Sequence, residues 1–584
     1  MSDEAVAVQN QSIRVGLIRA GIGVAQSIAL YLLVNAAQTK TWPSTNGALF
    51  SALVPVFLFA PPVAVLGLSD LRPRRLIGWT LTMAVIGAAL GWYSLAPYQS
   101  WTGFFLFLVA FGLGTFIAHC LVVAGNVDRG FVASYATYFD ISWKCGVQLA
   151  LAAAFTVALR LLFDLGGGLF DLINIHAYGR IIRESWFWIP VTTLAAIGAV
   201  HATDVRTGIV RSVQKLSCNL LSWLLPPLAL ICAAFLLSLA FTGLEPLWNT
   251  RMASTILLAA AASLILLINA VYQDGARAED GGKARVIALP LRLAIQIASV
   301  SLVPLAGLAA YGIFLRVDQH GWSNYRVIAA TGALVAACHA LGYALAATRW
   351  KTQFRPIEAT NVATALVFIV VLISLLTPVA DPTRITVASQ IARLKSGKIL
   401  PEAFNYAFLR FDTGRYGKEA LQKLAEGDST SVVATRARNA LMIKHRYELP
   451  PEHVARAADA ADRKAQIKVL YPSGASLPQG FLDQDFSYRR IPGCLLKVGA
   501  TPCDAAIIDL NRDSVPEIIL TDVSTRWYVF GETDKGWSYR GFFRSNTWGF
   551  NEALRTGKFE IVPPIYGDIK IGEKRFHLDL EEQE

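Results

Sequence analysis

Charge is what this chain has least of: 16% of its 584 residues are Asp, Glu, Lys or Arg, against 54% hydrophobic. A soluble domain usually carries about 25% charge, so the deficit excludes an ordinary soluble protein. Cysteine is scarce as well, and the last third of the chain holds only Cys494 and Cys503. The opening "MSDEAVAVQNQSIRVG" lacks a short apolar stretch ending in a small-residue cleavage site. The first apolar run is therefore expected to act as an uncleaved insertion signal. Beyond about Val379 the long apolar runs stop. The composition thus describes a large membrane domain followed by a polar tail.

Runs of about 20 apolar residues place eleven spans near 15–36, 47–68, 76–97, 101–123, 143–163, 186–204, 217–242, 252–272, 287–315, 327–347 and 360–379. The ninth is too long for one straight crossing, and Pro290, Arg292 and Pro304 suggest an interfacial start or a kink. With the N-terminus inside, fourteen basic residues fall in inner loops and six in outer ones. Such a bias orients a membrane protein with its basic loops in the cytoplasm. An odd number of spans then puts everything after Val379 on the periplasmic side. The net charge of +11 does not point to nucleic acid, because the tail from Asp381 onward holds 29 basic against 27 acidic residues. The lipid bilayer, and envelope proteins with it, are the expected partners.

Polar residues within the spans are few. Asp140 and Lys144 stand at the i,i+4 spacing of a helical ion pair. Arg19, Arg160 and Arg292 lie close enough to span ends to snorkel. His119–Cys120 and Cys338–His339 are adjacent pairs, but neighbours on a helix point about 100° apart, which favours packed side chains over metal ligands. Pro61–Pro62 and Pro226–Pro227 both fall in the inner half of the membrane, whereas an inverted repeat would carry them to opposite faces, so the repeat reading is weak. Between spans five and six, "LFDLGGGLFDLINIHAYGRIIRESWFW" reads as an apolar face on the outer membrane surface, with a re-entrant turn at Gly166–Gly168 as the alternative.

The organisation expected is a membrane domain over 1–380, a helical segment over 381–470 and a small β-rich domain over 471–584. The fold class is an α-helical polytopic membrane protein followed by an α+β extramembrane tail. Seven short β-runs follow Tyr471, from "CLLKV" to "DIKI". Cys494 and Cys503 flank one candidate hairpin there, and an oxidising periplasm would join them as a disulfide; two partly buried thiols are the alternative.

Several stretches resemble an uncharacterised bacterial family of polytopic inner-membrane proteins, a domain of unknown function. They are "GLIRAGIGVAQSIALYLL", "TGLEPLW" (242–248), "RVDQHGWSNYRV" (316–327) and "ASQIARLKSGKI" just past the last span. The resemblance implies a bacterial inner membrane and brings no activity with it. Glu245, Trp248, Arg316, Trp322 and Arg326 lie on its outer motifs, where Trp anchors suffice as an explanation and Glu245 is placed to pair with Arg316 or Arg326.

In the tail, "DLNRDSVPE" resembles the calcium loop of integrin-type FG-GAP repeats. By that resemblance Asp509, Asn511, Asp513, the Val515 carbonyl and Glu517 would ligate a structural calcium ion. Ser514 stands where a Gly normally permits the sharp turn, and Arg512 adds local positive charge. An acidic turn joining two strands is the equal alternative. The functional expectation is a non-catalytic envelope protein in assembly, sensing or scaffolding. The alternatives are a secondary transporter, or a membrane enzyme acting on a lipid-linked envelope substrate. The enzyme needs an outer cleft where Glu245, Arg316, Arg326 and the 164–184 segment converge.

Overall fold

The architecture is taken from a computed structural model of the chain. It describes residues 3–94, 101–173, 175–250, 252–273, 275, 287–349, 354–428, 431–443, 460–484, 492–495, 502–521, 526–533, 536–544, 556, 559–560, 569–571 and 574–576. Arg251, Arg277, Lys283, Arg285 and Lys351, which enter the count of basic loop residues, lie outside the described residues, as does most of the "KFEIVPP" run.

Fourteen helices lead up to the end of the membrane domain. They are α1 (Asp3–Thr39), α2 (Gly47–Gly67), α3 (Pro73–Ser94), α4 (Trp101–Val127), α5 (Tyr135–Asp171), α6 (His176–Arg183) and α7 (Ser185–Val205). Then come α8 (Thr207–Ser222), α9 (Leu225–Thr242), α10 (Glu245–Asn249), α11 (Ala253–Tyr272), α12 (Leu289–His320), α13 (Asn324–Thr348) and α14 (Pro356–Leu375). Among the described residues eleven helical segments are long and apolar enough to cross a membrane, α8 and α9 together supplying one of them. Most begin and end within about five residues of the span expected, but the fifth is eight residues longer at each end and the seventh starts nine residues earlier. The starts carry the chemistry that orphan helix amides require: Asn46, Ser134 and Ser323 accept backbone N–H bonds one turn ahead, at Leu49, Thr137 and Arg326.

Three proline- and glycine-bearing stretches take definite form. The ninth span is one continuous helix of 32 residues, with Pro290 in its first turn and Pro304 inside it. The Gly166–Gly168 stretch is not a re-entrant turn but the helical end of α5, which runs for 37 residues. A Cβ on Gly166 would collide with the Tyr178 ring, and one on Gly167 would press on Ile182, so the glycines admit α6 against α5. The two Pro pairs also differ: Pro61–Pro62 lie inside α2, whereas Pro226–Pro227 form the first turn of α9, where no N–H is missed.

Pro61 deprives the Phe57 carbonyl of its helical donor. The amide of Gln26, buried on α1, donates to that oxygen at 3.1 Å. Small residues bring the other helices together. Alanines of α12 and α13 meet in one core with Leu264, Ile268, Ile295 and Leu302. Gly342 on α13 leaves space for Thr360 of α14.

The chain divides into two compact units, 1–420 and 421–584. The first reaches past the last span, taking in α15 (Pro382–Lys395) and α16 (Tyr406–Phe411). Helix α17 (Gly414–Ala425) crosses the division and α18 (Val432–Met442) follows it.

The second unit contains a five-stranded sheet in the order β1 (Ile467–Tyr471), β2 (Cys503–Ile508), β3 (Glu517–Thr521), β4 (Arg526–Thr533), β5 (Gly536–Arg544). Strand β1 pairs parallel with β2, and the remaining neighbours are antiparallel. A short hairpin, β6 (Ile569–Ile571) and β7 (Lys574–Phe576), stands apart. The sequence "IKVL" was expected to end a helix; that helix, α19 (Ala460–Gln466), stops before it, and Ile467 and Val469 take strand positions opposite Cys503 and Ala505. All of β3 is buried. One face packs Phe481, Ile518, Leu520, Phe530 and Trp537, and the other packs Ala506, Ile508, Ile519 and Trp527.

Candidate functional site: a buried ion network

Arg19 lies in the first long helix, seven residues past the start of its apolar part at Ser12. Instead of snorkelling it is 1% exposed. Its Nε donates to the Val65 carbonyl at 3.1 Å, an acceptor freed by the end of α2. Its Nη2 donates to Ser69 Oγ at 3.1 Å and to Asp204 Oδ2 at 2.9 Å. Its Nη1 meets His201 Nδ1 at 3.2 Å. A guanidinium can only donate, so His201 accepts there and keeps its proton on Nε2, as a neutral ring. Gly16, one turn earlier on α1, makes room for that ring. The fork geometry of Arg is what lets one side chain serve four acceptors.

Asp204 belongs to the last turn of α7 and is 10% exposed. Besides Arg19 it accepts from Ser69 Oγ, from Gln148 Nε2 at 3.2 Å and from Lys144 Nζ at 3.3 Å. Lys144 also grips Asp70 through both carboxylate oxygens, at 2.8 and 3.0 Å. The pairing expected for Lys144 was with Asp140, one turn away. The structure turns the ammonium instead towards two carboxylates from other elements, where the low dielectric between helices strengthens the attraction. From Asp70 the chain of bonds runs on: Asn126 Nδ2 donates to its carbonyl at 2.7 Å, and Arg75 donates to Asn126 Oδ1 at 2.9 Å. Two cations and two carboxylates therefore neutralise one another. They tie together α1, the α2–α3 turn, α4, α5 and α7.

A second polar node joins α5, α11, α13 and α14. Asn269 donates to the Tyr343 hydroxyl at 2.8 Å, and Tyr343 donates to Asn361 Oδ1 at 2.5 Å. Asn361 donates in turn to Asn269 and to Tyr135. Nearby, Tyr272 donates to Glu358 Oε1 at 2.7 Å. Neither node was legible as a site. One signal was available: the expected topology brings Asp70, Lys144 and Asp204 to the same end of the bundle.

On the opposite face the expected pairing of Glu245 fails. Arg316 donates to the Trp248 carbonyl at 3.4 Å and Arg326 to the Gly321 carbonyl at 2.7 Å, while Glu245 is exposed. Both arginines are drawn to helix-terminal carbonyls, which carry partial negative charge. Trp248 packs edge-on against Tyr311. Trp322 donates its N–H to Ser389, and Gln390 and Arg393 of α15 donate to carbonyls from 318 to 322. Two of the quoted motifs, 316–327 and 388–399, thus meet. The 164–184 segment packs on α5 and α7, with Arg160 bridging to the Ile182 carbonyl and to Asp164. It does not join Glu245, Arg316 and Arg326 in one cleft. The Cys/His pairs are packed residues: Trp79 donates to His119, and His339 bonds the Val335 carbonyl.

In the tail, Cys494 and Cys503 are bonded to each other, tying a 3₁₀ turn to the head of β2. The loop from Asp509 to Glu517 joins β2 to β3. Asp509 accepts from the Asp513 and Ser514 amides, Asn511 from Asp513, and Asp513 from Val515. Glu517, nearly buried, accepts from Leu510. Arg512 and Ser514 hold φ of 62° and 69°, so Ser514 adopts the left-handed turn that a Gly would take more readily. Asp509, Asn511, Asp513 and Glu517 thus each accept at least one backbone amide within the loop, and Asn511 Nδ2 donates to Asp513 Oδ2 at 2.7 Å. Among the described residues no three His, Cys, Asp or Glu side chains converge on one ion position. These loop bonds form a set of Asx turns. No family model, no curated protein and no solved structure matches the chain.

Proposed function

We propose that this protein is a non-catalytic component of the bacterial inner membrane, serving assembly, sensing or scaffolding in the envelope. Its N-terminus faces the cytoplasm and its tail the periplasm. The observation that carries this reading is the closure of the charged network: Arg19, Lys144, Asp70 and Asp204 satisfy one another and lock three helices and a turn. Eleven crossings, an odd number, agree with ends on opposite sides, and the basic bias of the loops supports which is which. Among the described residues the 164–184 segment packs within α5–α7 and Glu245 is exposed, which supports the non-catalytic reading over a membrane enzyme. In a deletion strain of the bacterial host, the full chain should restore detergent resistance and residues 1–420 alone should not. Restoration by 1–420 would refute a scaffold that works through its tail. A periplasm-specific reporter fused after Glu584 should be active, and one active only in the cytoplasm overturns the orientation.

The same network favours a second reading, an ion-coupled transporter, since ionisable groups within spans commonly mark ion paths. Solute flux in proteoliposomes that Lys144→Met abolishes, with the protein still folded, would select it. Calcium at 509–517 is proposed on the left-handed Ser514 and the side-chain oxygens of Asp509, Asn511 and Asp513. Its role would be to brace β2 against β3.

A further inference from the structure

Helix α15 starts six residues after α14 ends, with Asp381 as its cap: Oδ1 accepts from the Thr383 and Arg384 amides. That short connection keeps α15 at the membrane–water boundary, beside the α12–α13 turn that it clasps. Between them Trp322, Arg384, Ile385, Ala388 and Ser389 line an open groove of about 580 Å³. Its size is that of a small-molecule site. Its wall is largely apolar, and its Trp is the residue type that favours the headgroup level of a bilayer.

The surroundings are positively charged. From Pro382 to Pro401 the chain has Arg384, Arg393, Lys395 and Lys398 and no acidic residue. Arg316, Arg326 and Arg393 all spend their hydrogen bonds on backbone carbonyls. A carbonyl satisfies a donor without cancelling its net charge, so this edge stays cationic. Of the acids nearby, Asp381 is committed to the α15 cap and to the Tyr93 hydroxyl, and Asp318 is exposed. Arg384 is exposed on the groove and forms no ion pair among the described residues.

An apolar slot with a cationic rim, set at the bilayer surface, is complementary to one class of molecule. We propose that this groove holds an anionic phospholipid, its phosphate at Arg384 and an acyl chain along Trp322, Ile385 and Ala388. The inference needs only the membrane architecture, so it stands or falls separately from the scaffold reading.

The test titrates the full chain, in neutral detergent, with short-chain phosphatidylglycerol and counts bound lipids by native mass spectrometry. One lipid should bind, with phosphatidylcholine at least about 5-fold weaker, since each basic residue near anionic headgroups contributes on that order. Arg384→Gln should weaken phosphatidylglycerol about 5-fold, Ala388→Trp should fill the slot and abolish binding, and Lys398→Gln should change little. Arg384 is exposed, so its variant carries the test even if Ala388→Trp fails to fold. Equal binding of the two lipids, or wild-type affinity in Arg384→Gln, overturns the proposal. So does an equal loss in Lys398→Gln, which would mean diffuse attraction. Displacement of the lipid by millimolar inorganic phosphate overturns it too, by making the site one for a free anion.

Discussion

Replacing Arg19 by Leu should be among the most damaging single changes in the membrane unit. The substitution keeps an apolar side chain in the helix but removes every bond that the guanidinium makes. Asp204 would keep Lys144 and Gln148 yet lose its closest cation, and the Val65 carbonyl would lose its donor. Both charges are buried, at 1% and 10% exposure, so solvent does little to screen the loss. Breaking a buried pair by removing one partner costs about 3–5 kcal/mol, and an orphaned carbonyl adds about 1–3 kcal/mol. In a unit of this size each kcal/mol lowers Tm by about 2 °C or less. A fall of roughly 5–10 °C follows from these magnitudes. Cys120, Cys145, Cys218 and Cys232 are buried thiols, so a thiol-reactive dye reports the unfolding in detergent. Arg19→Lys should fall between the two, because one ammonium cannot reach four acceptors. Pairing Arg19→Leu with Asp204→Asn should recover part of the loss, since the uncompensated charge goes with it. An Arg19→Leu melt within 1–2 °C of wild type would refute the buried network and return Arg19 to the membrane surface. A double variant as damaged as the sum of its singles would show that the two side chains are not coupled.

Asn361→Leu should destabilise the same unit by about 1–3 kcal/mol per partner left unsatisfied at Tyr343, Asn269 and Tyr135, read by the same dye; an unchanged melt would contradict that node. Cys494→Ser with Cys503→Ser should lower the tail transition by about 2–3 kcal/mol. In cells the wild-type pair should resist a thiol-labelling reagent until reductant is added, and labelling without reductant would place the tail in a reducing compartment. Asp509→Ala should weaken the tail in EDTA, through the two amides it releases, and by more in calcium, through the lost ligand. An equal loss in the two would refute the ion and leave only the turn.

The eleven spans could be read from sequence because hydrocarbon solvent imposes one crude demand, about 20 apolar residues in a row. The sheet was readable in part: β2 to β5 coincide with alternating or fully apolar runs, but β1 was hidden behind the helix-forming "ADRKAQ" that precedes it. The charged network was not readable because its members are single residues far apart in the chain. Asp70 sits in a turn and Asp204 at a helix end, where a solvated carboxylate is the ordinary expectation. What decides their role is which helices become neighbours, and that depends on small contacts such as Gly16 against His201. The Glu245 pairing failed for a related reason. Opposite charges on one face attract only weakly through water, whereas a helix-end carbonyl within reach supplies an immediate hydrogen bond.

The bond from Gln26 to the Phe57 carbonyl links two positions that the sequence keeps 31 residues apart. Pro61 creates the vacancy that Gln26 fills, so neither residue makes sense alone in a bilayer. A relative carrying an ordinary residue at the place of Pro61 would regain the helical bond and leave a buried amide without work. Selection should then release the glutamine to an apolar side chain. The two positions are expected to change as a pair through descent. Aligned relatives would therefore test this helix contact with no protein having to be purified.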